Sequence, residues 1–230
     1  MSTRKFRCGN LEKPVGSVFR LEREEENHLF KILRASPGER IELLDGRGTI
    51  ASAEVVPGRQ VKLLELRRIP PPARRVHLYI APPRRQKMDV ILREATELGV
   101  WRIVPLICDF RVSEPDAASV AGRWNEAMFE ACKQSGNPFL PQTVAPMRFA
   151  DALEESCGSC SMIRFGSPSD SEPAEVPEGD VGWFVGPEGG FSEGELSQLR
   201  ASGALPLRIG RWVLRVETAA LAGIVLLTGR

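Results

Sequence analysis

An apolar run that leads into a glycine-rich turn and then a helix start constrains the fold of this chain most. Residues 181–185 are a short bulky run that predicts a strand buried on both faces, as in a parallel sheet. Residues 186–190 follow with three glycines and a proline, so backbone groups can approach a ligand with no Cβ in the way. Ser192 and Glu195 have capping-box spacing, which predicts a helix start. The stretch is typical of a binding loop, although ordinary strand-to-helix turns use the same residues.

A second stretch has the same character. Residues 207–210 predict a strand that ends in glycine, and an apolar helix is expected to begin near Ala219 with Thr218 as its N-cap. Ligands on parallel sheets bind at the carboxyl ends of strands, where Gly186 and Gly210 are expected to lie. The two turns therefore predict one shared site.

The chain divides into two patterns. Residues 1–66 are rich in short strand-like runs, with one helix that is predicted to bury Leu29, Ile32 and Leu33. These elements favour a small barrel. The predicted strands are residues 16–21, 40–44, 49–56 and 60–66, and the predicted helix is residues 24–34, with a hairpin signal at Asp45-Gly46.

From Val76 onward the predicted strands and helices alternate, which favours a parallel sheet covered by helices. The proline-rich residues 67–75 separate the two patterns and predict a semi-rigid spacer. We therefore expect a domain of residues 1–72 and a second domain of residues 73–230.

Charge and cysteine content narrow the function classes. Residues 1–75 carry 16 basic and 10 acidic groups, whereas residues 76–230 carry 15 and 20. The basic first part predicts an anionic partner such as RNA. Five cysteines, an odd number, and no secretory leader predict a reduced cytoplasmic setting. The pair Cys157 and Cys160 is interpreted as incidental, and with two histidines in the chain we expect no metal.

Several large classes are disfavoured by missing motifs. No dinucleotide or Walker fingerprint lies at a strand-to-helix junction, and no Gly-x-Ser-x-Gly elbow occurs. The longest apolar run, residues 219–227, is shorter than the roughly 20 residues that cross a bilayer. The sequence therefore disfavours a hydrolase, a phosphoryl-transfer enzyme and a membrane-spanning protein.

The two glycine-containing stretches resemble the paired cofactor loops of the SPOUT methyltransferases. Residues 186–190 are Gly-Pro-Glu-Gly-Gly and residues 214–219 are Leu-Arg-Val-Glu-Thr-Ala, which is similar to the 16S ribosomal RNA uridine-N3 methyltransferase family. Further similar motifs are His-Leu and Leu-Arg within residues 28–34, Glu-Leu-Gly-Val at residues 97–100, Pro105, Arg111, and Gln-Ser-Gly at residues 134–136. Together these motifs cover most of the chain.

This resemblance implies an α/β fold, with a C-terminal SPOUT domain that has a parallel sheet and a deep trefoil knot. It also implies a small N-terminal β-barrel domain of PUA or OB type. The implied reaction is methylation of uridine N3 by S-adenosylmethionine without a metal. The implied partners are 16S rRNA or the small ribosomal subunit and a second copy of the chain bound through the C-terminal domain, in the cytoplasm, with no membrane or DNA partner.

The resemblance also implies two sets of binding residues. The expected cofactor-binding residues are Phe165, Gly166, Val185, Gly186, Pro187, Glu188, Gly190, Ile209, Gly210, Val213, Leu214 and Thr218. The expected RNA-binding residues are Arg4, Arg34, Lys87, Arg111 and Gln134.

Uracil N3 is a poor nucleophile until its proton leaves, so catalysis needs a proton acceptor and a group that stabilises the anion. We expect Arg215 to stabilise negative charge on the base or on a phosphate; an ion pair with Glu217 is the structural alternative. Glu217 or Glu188 is expected either to accept the proton or to fix the loop by accepting backbone N–H bonds.

Two positions depart from the family pattern. Asn137 and Pro138 follow the Gln-Ser-Gly motif where the family usually has arginine, and Trp212 stands where it usually has another. Two further functions stay open at this point. One is a non-catalytic RNA-binding factor in ribosome assembly, and the other is a SPOUT methyltransferase that acts on ribose or on another base.

Overall fold

The computed structural model describes residues 3–173 and 175–229 of the chain. Contacts divide them into two compact units. The first unit extends to Pro71 and also includes Phe129–Leu140, while the second contains Pro72–Met128 and the residues from Pro141 onward. The division near residue 71 falls in the proline-rich spacer.

The first unit is built on a curled five-stranded sheet with the order β1-β3-β4-β5-β2. Its strands are β1 (Lys5–Arg7), β2 (Val18–Phe19), β3 (Arg40–Leu44), β4 (Thr49–Val56) and β5 (Gln60–Arg68). Along β4 every second residue is buried, because alternate side chains of a strand point to opposite faces. The predicted bounds of β3 and β4 are confirmed.

The hairpin between β3 and β4 follows from its turn residues. The Asp45 carboxylate accepts hydrogen bonds from the backbone N–H groups of Arg47 (2.7 Å) and Thr49 (2.9 Å). Gly46 has a φ of 72°, a region that glycine enters without steric cost. The hairpin predicted at Asp45-Gly46 is therefore confirmed.

The helix of the first unit differs from its prediction. It begins as α1 (Arg23–Asn27) and continues as a π-helical turn over His28–Ile32, in which the Leu33 N–H donates to the His28 carbonyl. The wider turn changes the rotation per residue. Leu29 is buried, but Ile32 points outward and is 72% exposed. The prediction that Ile32 lies on the buried side was wrong for this reason.

The second unit is a parallel seven-stranded sheet in which β12-β10-β11-β6-β7-β8 are consecutive neighbours and β9 also pairs with β7. Its strands are β6 (Arg74–Ile80), β7 (Arg102–Ile107), β8 (Gln142–Thr143), β9 (Met147–Arg148), β10 (Met162–Gly166), β11 (Gly179–Val185) and β12 (Leu205–Leu207). The alternation of strands and helices had predicted such a sheet. The expected α/β architecture is confirmed.

Helices cover this sheet. They are α2 (Arg85–Glu97), α5 (Phe149–Ser159), α6 (Glu193–Ala201) and α7 (Val216–Thr228). A further helical stretch consists of α3 (Ala117–Ser119), a π-helical turn (Val120–Trp124) and α4 (Asn125–Ser135). Its residues up to Met128 belong to the second unit and those from Phe129 belong to the first. A Cβ on Gly223 of α7 would come within 2.2 Å of the Trp183 ring on β11, so only glycine permits this close packing. No helix among the described residues is long and apolar enough to cross a membrane.

Two predictions near the end of the chain need correction. The last strand is β12, which ends at Leu207, where the prediction had it begin. Pro206 is tolerated there because β12 is an edge strand that pairs only with β10. The last helix begins at Val216 with Arg215 in the N-cap position, so Thr218 lies in the first turn and is not the cap.

Candidate active site

A cavity of about 730 Å³ lies at the carboxyl ends of β10, β11 and β12. Three chain segments form most of its wall. They are residues 166–170 after β10, residues 185–191 after β11, and residues 207–216 after β12. Its position is the one that parallel sheets use for ligands, and its volume is in the range of small-molecule sites. The two glycine turns therefore share one cavity, as predicted.

The turn after β11 is closely packed. The Gly190 N–H donates to the Pro187 carbonyl at 2.8 Å, and Gly190 has a φ of 78°. A Cβ on Gly186 would lie only 3.2 Å from the Phe191 nitrogen and 3.3 Å from the Gly190 carbonyl carbon. The wall here is consequently made of backbone.

This turn is fixed at the start of α6. Ser192 and Glu195 form the predicted capping box, in which the Ser192 hydroxyl accepts from the Glu195 N–H and the Glu195 carboxylate accepts from the Ser192 N–H. The buried Glu195 carboxylate also accepts from the Asp109 N–H at 3.0 Å, and the Ser192 hydroxyl donates to the Asp109 carboxylate. The turn is thereby tied to the segment that follows β7.

The turn after β12 is built differently. The Arg208 guanidinium donates to the carbonyls of Gly210 and Arg211, each at 3.1 Å, which holds the turn from within. Trp212 and Val213 at its tip are exposed. Arg215 follows as an exposed residue that lines the cavity. This wall therefore presents side chains.

Lys87 on α2 lies between two carboxylates. Its Nζ is 3.7 Å from Glu188 Oε1 and 3.6 Å from Glu217 Oε2. Glu188 belongs to the turn after β11, and Glu217 lies in the first turn of α7. One ammonium group thus connects a glycine turn with the helix that follows the other turn.

The structure brings most of the expected cofactor-binding residues together. The members that line the cavity are Gly166, Val185, Gly186, Pro187, Glu188, Gly190, Ile209, Gly210, Val213 and Leu214. Phe165 is fully buried and Thr218 is exposed on α7, and neither lines the cavity. Of the two residues with an expected catalytic role, Arg215 lines it and Glu217 does not.

The expected RNA-binding residues lie in both units. Arg4, Arg34 and Gln134 are exposed in the first unit, where Arg4 is 3.6 Å from the Glu39 carboxylate. Arg111 and Lys87 are in the second unit. Arg111 pairs with Glu114 at 2.9 Å, and Lys87 lines the cavity.

Sequence reasoning missed part of the wall. Residues 167–170 carry no binding motif in the sequence, yet they line the cavity, and Asp170 pairs with Arg200 at 3.2 Å. Leu196 and Arg200 of α6 also line it. Their spacing of four residues places them on one face of the helix, a signal that could have found them.

Other reactive groups of the second unit are poor candidates for catalysis. Burial, together with the nearby Glu195 carboxylate, raises the pKa of the Cys108 thiol far above its ordinary value, so it stays protonated. Burial lowers the pKa of His77, which does not line the cavity. Among the described residues there is no group of three or more potential metal ligands.

Comparisons with known proteins agree with this geometry. The family described as an RNA methyltransferase domain matches residues 70–228, and the family described as an RNA methyltransferase PUA domain matches residues 21–65. Ribosomal RNA small subunit methyltransferase E of Synechocystis sp. is 28% identical over 226 residues, which cover 90% of this chain and 72% of the relative. The enzyme of that name from Mycobacterium bovis is 26% identical, over 94% of this chain and 89% of its own length.

Solved structures resemble the whole chain. Ribosomal RNA small subunit methyltransferase E from Neisseria gonorrhoeae, bound to S-adenosyl methionine, has a TM-score of 0.88 and 27% identity, covering 98% of this chain and 96% of that one. A Legionella pneumophila protein solved with the cofactor SAM has the same TM-score and identity and covers 99% and 97%. Because the family match spans most of the sequence, the chain belongs to the RNA methyltransferase family, with a PUA domain in its N-terminal unit.

Proposed function

We propose that this protein transfers a methyl group from S-adenosylmethionine to N3 of a uridine in 16S ribosomal RNA of the small subunit. The observation that carries the proposal is the cavity between the turns that follow β11 and β12, two strands that both pair with β10, with Arg215 at its wall. The names of the relatives support an rRNA substrate and this donor. The choice of uridine N3 rests on the motif at residues 214–219.

The residues present fit the donor. A Cβ at Gly186 would crowd the turn, so the backbone itself forms that wall, and Val185, Ile209 and Leu214 add apolar surface. Such a wall suits the flat apolar ring of an adenosine. When bound, S-adenosylmethionine supplies an already activated methyl group on a sulfonium, so the protein's own residues need to position and deprotonate the base.

Arg215 has the electrostatic role in this proposal. It lies in the N-cap position of α7 and lines the cavity with an exposed side chain, while the ion pairs found for Glu217 involve Lys87 and not Arg215. A guanidinium free to face the cavity stabilises the negative charge that develops on uracil as N3 loses its proton. The alternative of an Arg215–Glu217 ion pair has no support among the described contacts.

The proton acceptor is Glu188 or Glu217. Glu188 lines the cavity and Glu217 does not, and the Lys87 ammonium lies within 3.7 Å of both carboxylates. The carboxylate would accept the N3 proton and so free the N3 lone pair to take the methyl group that a bound S-adenosylmethionine would supply, with the neutral thioether as the leaving group. The pH–rate profiles of Glu188→Gln and Glu217→Gln decide between them, because only the acceptor's removal abolishes the acidic limb.

Methyl transfer tests the function directly. Small ribosomal subunits and free 16S rRNA from a strain without this activity are incubated with the protein and radiolabelled S-adenosylmethionine, and mass spectrometry locates the methyl group. We expect label on one uridine at N3. Label on a ribose or on another base contradicts the assigned position, and donor binding in calorimetry without any label favours the non-catalytic assembly factor.

The working form is proposed to be a homodimer in the cytoplasm, joined through the C-terminal unit. Exposed apolar side chains on α7 support this, since Val225 and Leu226 are each about half exposed next to each other. Light scattering behind a sizing column measures the mass. A monomer at working concentrations contradicts the proposed assembly.

A further inference from the structure

The tip of the turn after β12 exposes a large aromatic side chain beside the cavity. Trp212 is 75% exposed and the next residue, Val213, is 82% exposed, and both line the cavity wall. The chain has four tryptophans, of which Trp124 and Trp183 are fully buried and Trp101 is half-buried. Large apolar groups exposed together mark binding surfaces.

The indole is presented by a braced turn. Arg208 donates two hydrogen bonds to carbonyls of the same turn, at Gly210 and Arg211. Because the two residues that directly precede Trp212 are held in this way, the backbone that presents the indole loses little conformational freedom when it meets a ligand. A pre-ordered aromatic group of this kind binds at low entropic cost.

The surrounding charge indicates what the ligand is. Residues 196–216 contain four arginines and no acidic residue. The Arg211 guanidinium lies 5.2 Å from the Trp212 ring centroid, and Arg215 lines the cavity on the same side. An aromatic face amid arginines complements a nucleotide, because the ring stacks on a base while the guanidinium groups pair with phosphate.

We propose that Trp212 is a base-stacking residue that receives an unpaired nucleotide of the RNA substrate at the mouth of the cavity. This inference rests on the proposed function, since it assumes that the cavity serves RNA. Enzymes that modify a base must take it out of the stack, and an aromatic side chain at the mouth recovers part of the lost stacking energy. Trp212 is thereby assigned to substrate binding and not to donor binding.

Intrinsic fluorescence gives a direct test. The full-length protein, without S-adenosylmethionine, is titrated with a short single-stranded oligouridylate and separately with small ribosomal subunits. We expect RNA to quench the emission of the wild type and of a Trp101→Phe control, and to leave the emission of Trp212→Phe unquenched. Equal quenching in Trp212→Phe overturns the proposal.

Affinity and kinetics give a second, independent test. Trp212→Ala is expected to weaken RNA binding about 5- to 150-fold, the range for losing one base–aromatic stack. Trp212→Phe should restore most of that affinity because it keeps an aromatic face. In methyl transfer, the KM for subunits rises in Trp212→Ala while the donor affinity measured by calorimetry stays unchanged.

The outcomes also separate this inference from the proposed function. If the wild type methylates subunits but Trp212→Ala has an unchanged KM, the stacking role fails alone. If RNA quenches Trp212 but no methyl transfer occurs, the function fails and the stacking role stands. If Trp212→Ala dissociates a dimer while RNA affinity is intact, Trp212 is a contact between protein copies and the proposal is overturned.

Discussion

The two turns that line the cavity are built from different kinds of groups. The turn after β11 is backbone-lined, closed by Gly186 and Gly190, and tied through the capping box to Asp109. The turn after β12 is exposed, rich in arginine, and braced only by Arg208 among its described contacts. One wall therefore offers shape and fixed backbone groups, while the other offers charge and an aromatic face.

This difference suggests that one wall binds the methyl donor and the other binds the RNA substrate. A donor that is the same molecule in every turnover suits a rigid backbone wall, because nothing there must move. An RNA substrate brings phosphates and an unpaired base, which suit arginine and tryptophan. Substitutions in each wall test whether the two walls have these separate roles.

The largest effect is expected from the charged wall. Arg215→Ala should lower kcat about 100- to 1000-fold, the range for removing one group that stabilises transition-state charge, with donor affinity unchanged. Single-turnover methyl transfer and calorimetry measure the two quantities. Arg148→Ala is the control, since Arg148 is exposed and pairs with Asp151 away from the cavity lining. If donor affinity falls as strongly as kcat in Arg215→Ala, the two walls do not have separate roles.

The backbone wall should give the reverse pattern. Gly186→Val introduces atoms where even a Cβ meets Phe191 and Gly190 at about 3.2–3.3 Å, so donor affinity should fall about 5- to 150-fold. RNA affinity without donor should be retained. Gly158→Ala, at a helical glycine with nothing within 4 Å, is the matched control and should keep donor affinity. If Gly186→Val binds the donor as tightly as the wild type, the backbone of this turn does not form the donor-binding wall.

Lys87 tests whether the two walls are coupled. Lys87→Met removes both ion pairs, at Glu188 and Glu217, and should lower kcat/KM about 2- to 30-fold, because each partly exposed pair contributes little. Arg85→Met, at an exposed position on the same helix, should have no effect. The salt dependence of RNA binding shows whether Lys87 also contacts RNA. The slope of log K against log salt should change by about one unit only if Lys87 contacts a phosphate.

The smallest effect is expected at the anchor of the first turn. Ser192→Ala removes the helix cap and should cost about 0.5–2 kcal/mol of stability, with a matching fall in Tm. Ser197→Ala, exposed within the same helix, is the control and should not lower Tm. Calorimetric unfolding gives the comparison. A Ser192→Ala protein as stable as the wild type shows that the cap does not secure the turn.

Local patterns predicted much of this molecule. Alternating strands and helices gave the parallel sheet, Asp45-Gly46 gave the hairpin, and the Ser192–Glu195 spacing gave the capping box. Each of these depends on residues close together in sequence. That is why they were visible without coordinates.

Features that depend on distant partners were missed. The outward turn of Ile32 follows from a π-helical turn that side-chain periodicity does not signal. Lys87 was expected to bind RNA, and only the fold places it between Glu188 and Glu217, which lie far along the chain.

The grouping of residues 129–140 with the first unit has the same origin. Lys133 is buried within 2.9 Å of Glu25, a carboxylate more than a hundred residues earlier. A buried charge requires partners, and Glu130, three residues earlier, supplies one at 2.6 Å. Nothing local to Lys133 identifies Glu25 as the second.

The chain order of the cavity walls has a consequence for biosynthesis. The backbone-lined turn is synthesised first, and residues 207–219 add the opposing wall later, followed by Gly223, which packs against Trp183. Proteins emerge from the ribosome with the N-terminus leading. A nascent chain that has not yet reached residue 207 has only the first wall and lacks Arg215, so the cavity is complete only after residues 207–219 have been added.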